Sequence, residues 1–336
     1  MILQGRQTWV FPVPPVVTAT GTAVGHMESE GPLGRCFDII HKEPWLGKES
    51  FEKAEQCLLE QACLEALKKA NLDTNGVNMF LAGDLINQLS SSCFTARSLK
   101  IPFLGLFGAC STAMESLALA SLLVSAGGAH TVLAATSSHN NAAEKQFRYP
   151  NEYGAQKNDT CQLTVTAAGS AVVQDVGNGP KITAVTIGAI EDMGLKDPFN
   201  MGAAMAPAAA QTIINHFKER DVAADYYDLI LTGDLGRVGS KILVDLLHNA
   251  GLMVESEKIC DGGVLIYSEE QKPFAGGSGC GCMAAVAYGY IYNEMLAGRL
   301  KKALLVATGA LMSPLTYQQN ESIPGIAHAV ALEVLE

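Results

Sequence analysis

Cys110 stands in the run Leu106-Phe107-Gly108-Ala109-Cys110-Ser111-Thr112-Ala113-Met114-Glu115, a glycine-containing turn that leads into a strongly apolar helix. Backbone N–H groups and the positive end of a helix dipole favour a thiolate at such a place, so the position suits a nucleophile. A small buried cysteine at a tight helix–strand junction fits the same pattern equally well. Chemistry at the sulfur would also need a base. His139 follows a strand-like run and precedes Asn140-Asn141, a place where α/β folds put ligand-binding loops, although it could instead cap its own loop. His328 alternates within a strand-like run, where a core histidine is the plainer reading. Cys280 and Cys282 lie in a second glycine-rich turn, Gly276-Gly277-Ser278-Gly279-Cys280-Gly281-Cys282. Asp84 and Asp234 each close a buried-strand pattern and read most simply as turn residues accepting neighbouring N–H bonds.

The elements that position these residues come in two ordered sets. Asn78-Met79-Phe80-Leu81-Ala82-Gly83-Asp84-Leu85 is echoed by Asp228-Leu229-Ile230-Leu231-Thr232-Gly233-Asp234-Leu235, and Thr131-Val132-Leu133-Ala134-Ala135-Thr136 by Ala303-Leu304-Leu305-Val306-Ala307-Thr308. Two matches in the same order indicate a duplicated unit. Each half holds an amphipathic helix (51–70; 206–220), the strand ending in Gly-Asp, a very apolar helix (112–127; 283–297) and a further strand. A last strand closes each half, 162–166 with 170–173 in the first and 327–332 in the second. Superposing Thr136 on Thr308 carries Cys110 onto Cys282, so the two helix-start turns are pseudo-equivalent. Gly177-Asn178-Gly179-Pro180 has linker chemistry and separates an N-terminal half, 1–176, from a C-terminal half, 181–336. Strands alternating with helices predict an α/β protein whose parallel sheets are covered on both faces, with the apolar helix of 112–127 sandwiched between two sheets.

Composition narrows the function classes. With 336 residues, 48% of them hydrophobic and 17% charged, the chain buries one large core or two fused ones. The net charge of -11 and the scarcity of clustered basic residues exclude nucleic acid as the expected partner. Nine cysteines without a Cys-x-x-Cys or paired Cys/His spacing argue against zinc and against a secreted disulfide framework, which implies a reducing compartment. Pro12, Pro14 and Pro15 break the apolar amino-terminal stretch, so it is read as an extended segment and not as a signal peptide. The apolar run from Leu117 to Ala129 is too short to span a bilayer, which takes roughly 20 helical residues. Membrane association, if any, is expected to be peripheral, and no cofactor or metal site is expected.

Two α/β halves, with Cys110 opening the buried helix of the first and a glycine-rich turn opening its counterpart in the second, resemble the thiolase fold. That superfamily includes the condensing ketoacyl synthases. The runs Gly108-Ala109-Cys110-Ser111-Thr112, Ser137-Ser138-His139-Asn140, Glu144-Lys145-Gln146-Phe147-Arg148-Tyr149-Pro150 and Gly276 to Cys282 are similar to the stage V sporulation AD family of spore-forming bacteria, over essentially the full length. The resemblance implies a five-layer α-β-α-β-α arrangement, a sheet-edge homodimer, and a subunit of the machinery that moves dipicolinic acid, with calcium, into the developing spore. It further implies a place at the inner spore membrane beside membrane proteins of the same system. In enzymes of the superfamily the second half supplies a His, and a second His, Asn or Cys, that activate the thiol and hold the thioester oxygen. Here the stretch Leu229 to Arg237 contains neither His nor Asn, and Gly276 to Cys282 offers only Cys280 and Cys282. Condensing activity is therefore not expected.

A site for dipicolinate, a flat ring with two carboxylates, needs cationic forks and an apolar or aromatic wall. Lys145, Arg148, Tyr149 and Tyr153 supply that mixture in one short loop, although Arg148 could equally pair with Glu144 or Glu152. The candidate ligand-binding set is thus Cys110, His139, Asn140, Lys145, Arg148, Tyr149, Asp234, Cys282 and His328. Two rivals stand beside it: an active acyltransferase using Cys110, and a purely structural subunit with no small-molecule affinity.

Overall fold

The computed structural model describes residues 1–147 and 157–335. Ten strands carry the architecture: β1 (Val16–Val24), β2 (Met79–Gly83), β3 (Phe103–Gly105), β4 (Thr131–Ser138), β5 (Ala167–Gln174), β6 (Lys181–Ile187), β7 (Leu229–Thr232), β8 (Ile259–Asp261), β9 (Lys302–Ala310) and β10 (Gly325–Glu333). They lie in the order β8-β7-β9-β10-β6-β1-β5-β4-β2-β3. Outward from the β6/β1 junction each half repeats the same path, and the pairing types repeat with it. β2 runs parallel to β3 and β4, as β7 does to β8 and β9, while β5 and β10 are antiparallel to their neighbours. Even the irregularities match, since β1 slips register between Val17 and Ala19 and β6 between Ile182 and Ala184. The duplication read from two sequence echoes is therefore a duplication of topology.

Helix Thr112–Ser125 contacts β2 and β4 of its own half and β9 and β10 of the other. Its counterpart begins at Cys280–Ala285, passes through a π-helical stretch at Val286–Ile291 and ends with Tyr292–Leu296, packing on β1, β4 and β5. These two form the central layer, and being enclosed on both sides they are apolar nearly all round. The outer layers are helices Phe51–Lys69 and Ser90–Leu99 over the strands of the first half and Met201–Arg220 and Gly236–Asn249 over those of the second. Three hydrophobic clusters follow, one in the central layer and one under each outer layer.

Local chemistry explains the outer elements. Ser50 caps Phe51–Lys69 by accepting the Lys53 N–H at 3.2 Å, and Lys68 and Lys69 sit at its negative end. Leu58, Leu59, Ala62 and Ala66 form its buried stripe. Each of the two leucines is fully buried and contributes about 2 kcal/mol by its removal from water.

Three sequence expectations are corrected. The run 162–166 does not join the main sheet; Leu163–Thr164 pairs with Gly277–Ser278 in a separate two-stranded ribbon. The helix expected from 206 starts at Met201 and carries Pro207 inside it, at the loss of one backbone bond. The second apolar helix starts at Cys280 instead of 283, so Cys280 and Cys282 lie within its first turns. No described helix is long and apolar enough to cross a membrane.

The close packing of β1 under Phe51–Lys69 depends on Gly21, where a Cβ would stand 2.3 Å from the Ala62 carbonyl oxygen and 2.5 Å from the Ala66 nitrogen. Gly21→Val is expected to destabilise the protein by about 3 kcal/mol, since the clash is with helix backbone and cannot be relieved by a rotamer change. Urea unfolding checks this; an unchanged midpoint would contradict the packing.

Candidate functional site

Leaving β3, the chain turns through Gly108, Ala109 and Cys110 before entering helix Thr112–Ser125. Ala109 adopts a left-handed conformation with φ 51°, which costs a non-glycine residue about 1–2 kcal/mol. Side-chain bonds hold it there. Ser111 Oγ donates to the Gly108 carbonyl at 2.6 Å, Thr112 Oγ1 donates to the Ala109 carbonyl at 2.8 Å, and the Gly108 N–H donates to Thr112 Oγ1 at 2.8 Å. Underneath lies Gly309 of β9, whose missing side chain leaves room for the Gly108 oxygen; a Cβ would meet it at 2.2 Å. The nucleophile-type turn of the first half thus rests on the second half.

Cys110 is 8% exposed and opens on a cavity of about 650 Å³. Its walls come from both halves: residues 85–89 and Phe107 from the first, Met312 and Leu315 from the second. Thr164 and Ser278, paired neighbours in the two-stranded ribbon, also line it, as does Lys145. Lys145 forms an ion pair with Glu52. Of the described candidates, then, the cavity brings together Cys110 and Lys145.

The other candidates are placed elsewhere, each with its own partners. His139 does not line the cavity. Its Nε2–H donates to the Pro44 carbonyl at 2.8 Å and its Nδ1 accepts the Asn141 N–H at 3.2 Å, which assigns the tautomer. Burial lowers its pKa, and its ring sits 5.2 Å from that of Phe51. The capping alternative describes its contacts. Asn140 braces the wall from behind, donating to the Thr164 carbonyl at 3.0 Å and to Glu144 Oε1 at 3.3 Å. His328 accepts the Gly188 N–H at Nδ1 (3.2 Å), and burial pulls its pKa down to about 4, so it is a neutral core residue. Cys282 is fully buried and donates its thiol hydrogen to the Gly233 carbonyl at 3.3 Å, while Cys280 donates to that of Ser137 at 3.0 Å. Burial, and then nearby acidic side chains and thiols, push both thiols well up in pKa. Arg148 and Tyr149, with Tyr153, lie outside the described residues.

The two Gly-Asp-Leu turns differ in a way the sequence echo conceals. Asp84 accepts the Ile86 N–H at 2.9 Å and both the N–H and hydroxyl of Ser92 at 2.7 Å, which caps helix Ser90–Leu99. Asp234, equally buried, accepts no hydrogen bond at either carboxylate oxygen. Its expected turn role belongs instead to Asp261, the end of β8, which accepts from the N–H groups of Leu235 (2.9 Å) and Gly236 (3.0 Å) and from Thr232 Oγ1 (2.7 Å). At Gly233, beside the place where a base would be sought, a Cβ would stand 2.6 Å from the Met283 Cβ and 2.9 Å from its Sδ. Sequence reasoning missed Asp261, Met283, Thr164 and Ser278. Only Ser278 carried a signal, from its place in the glycine-rich turn.

The exposures predict an order of thiol reactivity. Iodoacetamide is expected to modify the exposed Cys93 first, then the partly exposed Cys36, Cys57 and Cys260, with Cys110 slower still and Cys280 and Cys282 unmodified until the protein unfolds. Peptide mapping by mass spectrometry checks this, and early labelling of Cys282 would contradict the assigned burial.

The comparisons with known proteins agree with this architecture. Against the solved structures, the chain superposes on 3-oxoacyl-[acyl-carrier-protein] synthase III from Aquifex aeolicus with a TM-score of 0.60 at 15% identity, covering 95% of this chain and 100% of that one. On human mitochondrial 3-ketoacyl-CoA thiolase the TM-score is 0.59 at 11% identity, over 97% of this chain and 100% of that one. At such identities the likeness establishes the thiolase-type fold. In sequence, the chain is 52% identical over 333 residues to stage V sporulation protein AD of Bacillus subtilis, spanning 99% of this chain and 98% of that protein. The family described as Stage V sporulation protein AD matches residues 5–333. By sequence over its full length and by fold, the chain belongs to the stage V sporulation protein AD family, a sporulation family built on the thiolase-type fold.

Proposed function

We propose that this protein binds dipicolinic acid, free or as its calcium chelate, in the Cys110 cavity, and that it passes the ligand to membrane proteins during uptake into the developing spore. No condensing reaction takes place in this reading. The observation that carries it is the makeup of the cavity wall: Cys110 and Lys145 line it, no histidine is among its described lining residues, and Met283 fills the space a side chain at 233 would need. A histidine base of the kind that activates such a thiol is not among the described lining residues, whereas a lysine in an apolar cleft suits a carboxylate. The cavity falls in the size range of small-molecule sites, and its apolar walls at Phe107, Met312 and Leu315 suit a flat ring. Arg148 and Tyr149 follow helix Asn140–Phe147, which carries Lys145, and supply a second cation and an aromatic face in the same reading. The peripheral place at the inner spore membrane belongs to this proposal as well.

One observation favours the acyltransferase rival. A left-handed Ala109 delivering Cys110 to a helix start is the kind of stored strain found at reactive sites. Calorimetric titration with dipicolinic acid, with and without calcium, separates the readings. The wild type is expected to bind saturably in the micromolar range. Lys145→Ala and Arg148→Ala should each weaken binding about tenfold, or 1.4 kcal/mol, and Cys110→Ala should leave it unchanged. Absence of binding under every condition would sink the dipicolinate reading.

A further inference from the structure

Behind the cavity the buried helix start at Cys280–Cys282 is ringed by the carboxyl groups of Glu28, Glu55, Asp84, Asp234 and Asp261. Four of them accept hydrogen bonds: Glu28 from the Thr166 N–H, Glu55 from Ser137 Oγ, and Asp84 and Asp261 as described. Asp234 accepts none. The Thr308 hydroxyl and the N–H groups of Thr308 and Gly279 act on it without reaching hydrogen-bond geometry, and Thr308 Oγ1 is itself buried without a partner. The titratable groups that face Asp234 are Asp261 at the end of β8 and the thiols of Cys280 and Cys282 on the central helix. Glu28, Glu55, Asp84 and Cys110 surround those thiols in turn, each of them an acid or a thiol.

An ionised carboxylate without hydrogen bonds or a counter-charge is too costly to bury, so a group in this position holds its proton. It is also placed to sense the cavity. Gly279 adjoins the lining residue Ser278, and Cys280 feels both Cys110 and Asp234. We propose that Asp234 is a neutral carboxylic acid in the folded protein and acts as a charge valve for the cavity. An anion can then sit beside Cys110 while Asp234 keeps its proton, and is repelled once that proton is lost. The inference rests on the anion-binding reading above and adds its dependence on pH.

Asp234→Asn, a neutral isostere, tests it. Because the buried acid resists ionisation while the unfolded chain ionises normally, the wild type must lose stability relative to the variant as pH rises above the ordinary carboxylate range. The variant's folded-to-unfolded ratio should gain on the wild type about tenfold per pH unit, levelling where Asp234 finally ionises. Dipicolinate affinity of the wild type should fall at that same pH. The variant should bind within about threefold of wild type at pH 6 and lack the fall. A protonated-carboxyl infrared band present in the wild type and absent from the variant provides an independent readout. A stability gap independent of pH, or a variant binding about tenfold tighter at pH 6, would mean that Asp234 is charged and would overturn the proposal. If the wild type fails to bind dipicolinate at every pH, the anion reading fails and the valve with it. If it binds and both proteins share one pH profile, the valve alone fails.

Discussion

The site depends on a close approach of two backbones. Gly309 on β9 admits the Gly108 carbonyl, and upon that contact the turn holding Cys110 is built. The turn carries a left-handed alanine at a cost of about 1–2 kcal/mol, and the bonds of Ser111 and Thr112, each worth about 1 kcal/mol, offset it. From there the consequences run outward. Helix Thr112–Ser125 starts at the seam between the halves, its counterpart starts at Cys280 on the other side, and the cavity opens where segments from both halves meet.

Burial in the central layer then decides the electrostatics. Behind the cavity every titratable group with a resolved shift is driven toward its neutral form: Cys280 and Cys282 upward, Asp234 upward, His139 and His328 downward. The geometry agrees with protonated thiols, whose S–H groups donate to the carbonyls of Ser137 and Gly233. Ion pairs stand at the lining, where Lys145 meets Glu52, and beside the wall, where Lys157 meets Glu144. A neutral helix start behind a lining that holds a lysine suits holding an anion better than moving protons, which is why the binding reading is preferred to the acyltransferase one.

Much of this was legible before any coordinates. The echo of Gly-Asp-Leu, with the repeated Val/Leu/Ala strands, exposed the duplication because buried parallel strands are continuous apolar runs that survive as recognisable text. The short edge strands β3 and β8 escaped notice, since three residues give no periodicity to read. The site was harder. Cys110 was found because a glycine-containing turn before an apolar helix is a local signal. His139 misled because a histidine that caps a loop and one that faces a ligand have the same sequence neighbourhood. Asp84 and Asp234 sit in matching sequence, yet the carboxylate of one holds a helix start and that of the other accepts no hydrogen bond. The difference comes from Asp261, which is distant in sequence and reaches its position only through the β7/β8 pairing.

In the proposed reading the thiolase-type fold keeps the cysteine and the cavity and binds a ligand there in place of the condensing chemistry. The intact mass of the protein after incubation with acetyl-coenzyme A tests it most directly. The account predicts an unchanged mass, with or without dipicolinic acid present. An acetyl adduct that maps to Cys110 and disappears in Cys110→Ala would contradict it.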